Sequence, residues 1–308
     1  MNAKVASFVG VDWGTSSFRL WLLSRDGTGL AESRGPEGML HCATAGFQPV
    51  LDKHLLAAGA EPDLPVLICG MAGAKQGWVE APYVRTPVTL DRLHEHTVRV
   101  PVDGRDIRIM PGLAQADASA PDVMRGEETQ LLGSLSPDFS GLVCMPGTHC
   151  KWVSVSSGRI ERFSTFMTGE LFSVVSRHSI LMHALEEGTS TEPDDATFLA
   201  AARAMLADPA SFLPALFSIR AGQLLGFEER RQGAAHLSGL LIGAEVCAAA
   251  ARLGSRNEPV VLVAAGGLGR LYQAVLGTAG FSVGVIDAED ISRRGLARAA
   301  ASIWSENP

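Results

Sequence analysis

The chain has 308 residues, of which 46% are hydrophobic and 19% are charged, and a net charge of −7. This length favours two domains of about 150 residues each, and this composition excludes a disordered or fibrous protein. The negative charge provides no field that would attract a polyanion, so we expect no nucleic-acid partner. Five scattered cysteines without a CxxC pair are typical of reduced thiols in the cytoplasm.

No segment of the sequence favours export or insertion into a membrane. The N-terminus lacks a basic region and a cleavage site and reaches Asp12 early, as expected for a buried first strand. The longest apolar stretch, residues 237–253, is shorter than the roughly 20 residues that span a bilayer and contains Glu245. We therefore expect a core helix there, a cytoplasmic protein and no membrane partner.

Residues 1–139 have the alternation of strands and helices that is typical of an α/β domain. Two β-rich runs, 5–11 and 17–23, flank a polar turn and predict a hairpin. The elements predicted after it are a helix at 47–58, a strand at 65–69, a loop-rich stretch from 70 to 104, a strand at 106–110 and a helix from about 125 to 134. Together they predict the first of two lobes.

Residues 140–308 repeat this plan. Runs at 141–145 and 150–155 predict a second hairpin, with a third strand near 159–163. The later elements are helices near 169–186, 195–207 and 235–253, a strand at 259–264, a helix at 268–279, a strand at 281–286 and a last helix at 289–304. The repetition predicts a second lobe of similar size with a largely covered sheet.

The turn of the first hairpin carries residues that suit a nucleotide phosphate. Gly14, Thr15 and Ser16 can point backbone N–H groups and hydroxyls at phosphate oxygens, and the carboxylate of Asp12 can organise hydrated Mg²⁺. The alternative is an ordinary hairpin turn, because such turns also favour Asp, Gly and Ser. A single copy of the pattern does not decide between the two.

A second copy of the pattern favours the phosphate interpretation. Gly147, Thr148 and His149 occupy the turn of the second hairpin, and two such turns could hold one triphosphate from both sides. Because side chains alternate along a strand, His149 and Lys151 share a face, where the Lys151 cation could neutralise phosphate. The alternative for Lys151 is a solvated strand residue.

A glycine-rich turn near the C-terminus predicts an adenosine pocket. Gly266, Gly267 and Gly269 follow a β-branched strand and open a helix, where missing side chains let a nucleotide approach the backbone. The same turn, with Asp287 near the end of the next strand, also resembles a dinucleotide fingerprint, which would indicate an NAD-dependent dehydrogenase. Tyr272 stands where that fingerprint needs a small residue, which counts against this alternative.

Two helix starts carry candidate catalytic acids. Glu127 and Glu128 begin the helix that leads into the second lobe, and a carboxylate there could deprotonate a substrate hydroxyl. Thr168 and Glu170 begin a later helix, where both could bind the substrate and Glu170 supplies another acid. The alternatives are structural, because the helix dipole favours acids in a first turn and Thr168 suits an N-cap.

The loop after the predicted strand at 65–69 carries candidate substrate ligands. It contains Gly73, Lys75 and Trp78, and Arg85 follows nearby. Ligands of α/β sheets usually bind at the carboxyl ends of strands, so these residues could recognise a small carboxylate. The alternative is a mobile connection with a packed tryptophan.

With these motifs, the chain resembles the 2-dehydro-3-deoxygalactonokinase family, a branch of the superfold that contains sugar kinases, heat-shock proteins and actin. The resemblance covers nearly the whole chain. The segments that carry it are 11–15 (VDWGT), 70–73 (GMAG), 81–83 (APY), 110–113 (MPGL), 123–132 (VMRGEETQLL), 145–153 (MPGTHCKWV), 167–171 (MTGEL) and 238–246 (SGLLIGAEV).

The resemblance implies an α/β fold of two ribonuclease-H-like (actin-like ATPase) lobes with an active-site cleft between them. It implies that ATP phosphorylates the 6-hydroxyl of 2-dehydro-3-deoxy-D-galactonate, a step of galactonate degradation. Asp12 would organise Mg²⁺, residues 14–16 and 147–148 would hold phosphates, and residues 266–269 would border adenosine.

The resemblance also bears on the catalytic base. Many relatives in the superfold use an Asp in the region corresponding to 122–128, where this chain offers Asp122, Glu127 and Glu128, and we favour Glu128. The alternatives for function are a kinase for the gluco epimer or another small sugar acid, and a non-catalytic sugar-acid sensor. The sequence leaves a homodimer open.

Overall fold

A computed structural model of the protein describes residues 4–253 and 259–304. The described residues form two compact units. Unit 1 contains the chain up to Phe139, the segment Ser157–Glu161 and the chain from Ala288 onward, and unit 2 contains Ser140–Ser156 and Arg162–Asp287. The C-terminal segment thus groups with the first half of the chain, whereas the sequence placed it in the lobe 140–308.

Most strands of unit 1 form a main sheet and a smaller one. In chain order the strands are β1 (Ala6–Trp13), β2 (Phe18–Ser24), β3 (Gly29–Gly35), β4 (Val66–Gly70), β5 (Val84–Arg85), β6 (Val88–Thr89), β7 (Val98–Arg99), β8 (Ile107–Ile109), β9 (Leu113–Gln115) and β10 (Asp122–Met124). The main sheet has the order β3-β2-β1-β4-β8-β7, and the smaller one has the order β10-β9-β5. Since β1 and β4 are parallel, their C-terminal ends lie side by side.

Helices connect and cover the strands. They are α1 (Met39–Ala45), α2 (Phe47–Ala58) and α3 (Glu127–Ser134) in unit 1, α4 (Thr168–His178), α5 (Ala196–Ala207), α6 (Phe212–Leu224), α7 (Arg230–Leu253) and α8 (Gly266–Thr278) in unit 2, and α9 (Ile291–Ile303) again in unit 1. Segments of 3-10 helix are Met71–Gly73, Leu90–His96, Ile180–His183 and Pro209–Ser211. In unit 1, strand β1 and helix α2 contribute Val9, Val11, Leu51 and Leu55 to one buried apolar cluster.

Helix α9 packs closely on α3 through two glycines. A Cβ atom on Gly295 would lie 1.9 Å from the carbonyl oxygen of Thr129, and one on Gly133 would lie 2.0 Å from that of Ile291. Any side chain at either position would therefore push the two helices apart. This packing keeps the C-terminal helix on unit 1 and brings Ser292 within hydrogen-bonding range of Asp12 on β1.

Unit 2 repeats the strand order of unit 1. Its strands are β11 (Gly141–Met145), β12 (Cys150–Ser156), β13 (Arg159–Phe166), β14 (Val260–Ala264) and β15 (Val283–Asp287). The order β13-β12-β11-β14-β15 matches β3-β2-β1-β4-β8, with an antiparallel hairpin followed by parallel neighbours in each. The first residues of β13 group with unit 1 and pair there with β6. The predicted repetition of the hairpin plan is confirmed.

The predicted elements differ from the observed ones where local pattern is weak. Helix α2 has the predicted bounds, but the predicted helix 169–186 is too long, because α4 ends at His178 and Ser179 is extended (φ −123°, ψ 176°). Helix α6 was not predicted, since its sequence FLPALFSIRAGQL does not separate an apolar face from a polar one. Pro214 lies in the first turn of α6, where proline is tolerated.

Helix α7 is the apolar helix that the sequence predicted as part of a core. Within the described part of the chain it is the single helix long and apolar enough to cross a membrane, and 67% of its most apolar window is buried inside the protein. A core helix of a soluble protein has these same properties.

Candidate active site

Asp12 is the second-last residue of strand β1, at the edge where ligands of parallel strands usually bind. It pairs with Arg19 on β2 and with Cys69 on β4, and it is half-buried. Burial raises the pKa of Asp12 above its usual value, and the charge of Glu127 adds to this rise, while a hydrogen bond with Ser292 and the charge of Arg19 oppose it. A cation bound here would relieve the repulsion between the two carboxylates.

The two acids of α3 have different surroundings. Glu128 is fully buried, and its carboxylate accepts hydrogen bonds from the backbone N–H of Gly126 (2.6 Å) and from the hydroxyl of Thr129 (2.9 Å). Glu127 is half-buried and accepts a hydrogen bond from the backbone N–H of Arg125 (3.0 Å). Glu128 therefore stabilises the start of the helix, and the charge of Glu127 acts on Asp12 near the end of β1.

Replacing Glu128 with glutamine is expected to change how stability depends on pH. Burial, helped by the charge of Glu127, raises the pKa of Glu128 from 4.5 to about 7. The folded state holds this proton more tightly than the unfolded state. The free energy of unfolding of the wild type therefore falls by about 3 kcal/mol as pH rises from 4.5 to 7. Glu128→Gln has no such loss, so its melting temperature should rise relative to that of the wild type as pH increases over this interval.

The matched control for this measurement is Glu61→Gln, an exposed carboxylate on the same unit. Its melting curve should follow the wild type at every pH. Parallel pH dependence of the wild type and Glu128→Gln would contradict the raised pKa of Glu128.

The other predicted site residues of unit 1 lie in varied settings. Lys75 and Arg85 are exposed. Trp78 is half-buried and stacks on Phe47, with ring centroids 6.0 Å apart, so it packs within the aromatic cluster of this unit. Asp122 lies on β10 opposite β9, and its carboxylate accepts the backbone N–H of the next residue (2.8 Å).

Arg125 is a residue of this region that the sequence did not single out. Its Nη2 donates to the carbonyl oxygen of Ala81 (2.7 Å), and its guanidinium lies over the ring of Tyr83, 4.5 Å from the centroid. Gly73 is buried, and a Cβ atom there would lie 2.8 Å from Nη1 of Arg125. In the sequence, Arg125 could have been noticed as the arginine of the segment 123–130 (VMRGEETQ).

The turn after β1 is held in place by helix α1. The backbone N–H groups of Met39 and Leu40 donate to the carbonyl oxygens of Gly14 (3.0 Å) and Thr15 (3.1 Å). Thr15 and Ser16 are exposed. The turn therefore presents hydroxyl groups on a fixed backbone, as a phosphate site requires.

In unit 2 the second hairpin turn meets the start of α4. The backbone N–H of Glu170 donates to the carbonyl oxygen of Thr148 (3.0 Å), and the Glu170 carboxylate contacts Nε2 of His149 (2.5 Å). A Cβ atom on Gly169 would lie 2.4 Å from the carbonyl oxygen of Gly147, so the close packing needs glycine there. The Gly147 turn and the start of α4, which are separate motifs in the sequence, are thus neighbours in the structure. A helix start beside such a turn suits phosphate.

Lys151 lies on β12 opposite Met145, as Arg19 lies on β2 opposite Asp12 in unit 1. It is only 5% exposed, so the alternative of a solvated strand residue is wrong. The two copies of the hairpin therefore differ in charge, because methionine in unit 2 takes the place of the unit 1 carboxylate.

A cavity of about 320 Å³ lies beside the Gly147 turn within unit 2. Apolar side chains of α7 and α8 and hydroxyls of the segment before α5 line it, and the lining includes Thr168, Phe172, Thr189, Thr191, Ala234, Ser238, Leu241, Ile242, Gly267, Leu268, Leu271 and Tyr272. Gly266 begins α8 with φ of 63°, and a Cβ atom on Gly269 would lie 3.0 Å from that of Ala264. Apolar walls with a few hydroxyls suit a nucleoside.

The buried carboxylate of Glu245 is hydrogen-bonded to two residues that line this cavity, Thr168 and Tyr272. Glu245 on α7 accepts hydrogen bonds from the indole of Trp152 (2.7 Å), the phenol of Tyr272 (2.7 Å) and the hydroxyl of Thr168. Burial raises the pKa of Glu245, and these hydrogen bonds oppose the rise. The alternative of Thr168 as an N-cap is wrong, because Met167 is the N-cap of α4. The sequence signal for this network was a lone acid in an apolar helix.

The repeated strand order and the nucleoside-sized cavity define the class of protein, since two lobes of this kind form the fold of actin-like ATPases and sugar kinases. The activator of 2-hydroxyisocaproyl-CoA dehydratase from Clostridium difficile with bound ADPNP has this fold, with a TM-score of 0.51, 14% identity and 98% of each chain covered. The family model of 2-keto-3-deoxy-galactonokinase matches residues 12–299. The chain belongs to this family.

Curated relatives agree over nearly the full length. The Rhizobium meliloti (strain 1021) protein named "Probable 2-dehydro-3-deoxygalactonokinase DgoK1" is 50% identical over 96% of this chain and 97% of its own. The 2-dehydro-3-deoxygalactonokinase of Escherichia coli (strain K12) is 34% identical over 97% and 99%. A crystal structure of a protein from Sinorhizobium meliloti with the same family name has a TM-score of 0.93, 50% identity and coverage of 96% and 99%. The predicted family and fold are confirmed, and the dehydrogenase alternative is wrong.

Proposed function

We propose that this chain transfers the γ-phosphate of ATP to the 6-hydroxyl of 2-dehydro-3-deoxy-D-galactonate. The observation that carries the proposal, in a chain of this kinase family, is a pair of carboxylates: Asp12 near the end of β1, and Glu127 on α3, whose charge acts on it. One acid suits a metal-bound phosphate and the other suits an acceptor hydroxyl, which are the two partners of a phosphoryl transfer.

Mg²⁺ fits the proposed role of Asp12. The negative charge of Glu127 repels the half-buried carboxylate of Asp12, so a hydrated cation would stabilise both carboxylates. Among the residues that the structure describes, no group of three or more His, Cys, Asp or Glu side chains could hold a metal ion. The nucleotide phosphates would thus complete the coordination, and the ion would neutralise charge on the transferring group.

We propose Glu127 as the base in place of Glu128, because of how the two carboxylates are buried. A base must reach the proton that it removes, and Glu128 is fully buried with both carboxylate oxygens hydrogen-bonded within its own turn. Glu127 is half-buried, and its charge acts on Asp12 near the end of β1. Asp122 remains a further candidate on β10.

Unit 2 is proposed to bind the nucleotide. The cavity lined by Gly267 and Tyr272 would hold adenosine, while the Gly147 turn, the start of α4 and the Lys151 cation would bind phosphates. In unit 1, the hydroxyls of Thr15 and Ser16 are suited to phosphate.

Replacing Gly169 with alanine is expected to raise the KM for ATP by about 10- to 100-fold. The added Cβ atom would lie 2.4 Å from the carbonyl oxygen of Gly147 and 2.9 Å from Cα of Thr148, so the helix start must move away from the phosphate turn. Initial rates at varied ATP measure the effect, and the KM for the sugar acid should stay unchanged.

The control for Gly169→Ala is Gly277→Ala at the far end of α8, where an added Cβ atom meets nothing within 4 Å. Its kinetic constants should equal those of the wild type. An unchanged KM for ATP in Gly169→Ala would contradict the placement of phosphate at the start of α4.

The test of the proposed function is ADP release with MgATP and 2-dehydro-3-deoxy-D-galactonate, beside its gluco epimer and a reaction without sugar acid. Galactonate-dependent ADP together with a sugar-acid phosphate, identified by mass, is the expected result. Turnover of the gluco epimer alone would reassign the substrate, and no turnover of either would favour another sugar acid or a sensor. A homodimer and a cytoplasmic location remain predictions, and solution molar mass tests the first.

A further inference from the structure

The guanidinium of Arg125 lies in an unusual environment for a charged group. Its Nε and Nη1 atoms are buried, and neither has a hydrogen-bond partner among the described residues. Its Nη2 donates to the backbone carbonyl of Ala81, which carries no net charge. A guanidinium has five N–H donors and stays protonated, so a dry site that leaves donors unused is costly unless an anion binds there.

The surrounding residues are shaped around this cation. Gly73 makes room for it, because a Cβ atom there would lie 2.8 Å from Nη1. Tyr83 covers one face of the guanidinium at 4.5 Å, and a Cβ atom on Gly112 would lie 2.7 Å from the Tyr83 ring. This cation–π contact helps to hold the guanidinium in place. Tyr83 itself is 43% exposed, so this contact lies near the surface.

Arg125 lies beside the proposed base in the chain and close to the end of β4. It directly precedes Gly126, where a Cβ atom would lie 3.6 Å from Cα of Gly70 at the end of β4. The backbone N–H of Arg125 donates to the carboxylate of Glu127, the proposed base (3.0 Å). Glu127, the acid that would deprotonate the hydroxyl, and Arg125, the cation that would bind an anion, are therefore two residues apart in the chain.

We propose that Arg125 binds the carboxylate of the 2-oxo acid substrate and so selects sugar acids over neutral sugars. This assignment rests on the proposed function, in which the carboxylate and the reacting hydroxyl are at opposite ends of a six-carbon chain. Lys75 and Arg85, the cations that the sequence indicated, are exposed, and water weakens the attraction of exposed charges. The desolvated donors of Arg125 make stronger hydrogen bonds to a carboxylate.

The main test compares Arg125→Gln with the wild type on 2-dehydro-3-deoxy-D-galactonate and on its neutral C1 amide. The expected result is a KM for the acid that rises by about 100-fold, a KM for ATP that stays within twofold, and a loss of the preference for acid over amide. A merely structural role of Arg125 would not remove that preference. A KM for the acid within threefold of the wild type would overturn the assignment.

Two further variants control for folding and for charge. Arg125→Lys keeps the charge but loses the planar fork, so its KM for the acid should lie between those of the wild type and Arg125→Gln. Arg99→Gln changes an exposed arginine of the same unit that pairs with Asp106 at 3.1 Å, and it should behave as the wild type. A KM of Arg125→Lys equal to or above that of Arg125→Gln would count against charge recognition.

A binding measurement separates this assignment from the proposed function. Pyruvate carries the same 2-oxo carboxylate, and ligand-observed NMR can detect its binding to the wild type and to Arg125→Gln without turnover. If neither sugar acid is phosphorylated but pyruvate binds the wild type alone, the proposed function fails and the anion site stands. If neither sugar acid is phosphorylated and pyruvate binds both proteins equally or neither, the anion site fails as well.

Discussion

Replacing Asp12 with asparagine is expected to lower kcat by about 10³-fold, because a metal that neutralises transferring phosphate contributes several kcal/mol. The change keeps the size of the side chain and removes the charge that would hold Mg²⁺ at the end of β1. Burial already raises the pKa of Asp12, so the loss of charge should not lower the melting temperature. ADP release at saturating ATP and sugar acid measures kcat, and a Mg²⁺ titration measures the weakened metal affinity.

The matched control is Asp52→Asn, the same change at an exposed position of α2. It should leave kcat and the Mg²⁺ dependence unaltered. A kcat for Asp12→Asn within tenfold of the wild type would remove Asp12 from the proposed metal site, since no other residue of the first hairpin turn carries a carboxylate.

Replacing Glu127 with glutamine is expected to lower kcat by about 10²- to 10⁴-fold with little change in the KM for ATP. Glutamine can still accept the backbone N–H of Arg125, so the turn before α3 should be preserved while the proton acceptor is lost. Single-turnover measurement of phosphoryl transfer separates this loss from slow product release.

Glu128→Gln is the comparison that decides between the two adjacent acids. It should keep kcat within about threefold of the wild type, because a fully buried carboxylate cannot reach a substrate hydroxyl. The opposite order, with a large loss in Glu128→Gln and a small one in Glu127→Gln, would restore the base that the sequence favoured. Large losses in neither variant would move the role to Asp122 or Glu170.

The local parts of the fold could be predicted because they depend on neighbours in sequence. Alternating β-branched runs separated by Asp, Gly, Thr and Ser predict hairpins, and both hairpins of the protein were found this way. Helix α2 was predicted with its observed bounds. Helix α6 was not, because it lacks the segregated apolar face on which such a prediction relies.

The placement of the C-terminal helix depends on contacts that no local pattern contains. Gly133 and Gly295 are far apart in the chain, yet each is needed for α3 and α9 to approach closely in unit 1. The same is true of the Glu245 network, in which Thr168 and Trp152 lie 77 and 93 residues away. The sequence shows that such glycines and acids are present, but it does not show which residues they contact in the fold.

By itself, the sequence determined the family and the repeated hairpin plan, because residue type and spacing encode these directly. The tertiary structure alone distinguished Glu127 from Glu128, since their difference is one of burial and hydrogen-bond partners. It alone revealed the unpartnered nitrogens of Arg125. Solvent access and the loss of hydrogen-bond partners arise only when distant segments pack together, and these two quantities decide which charged groups can bind or react.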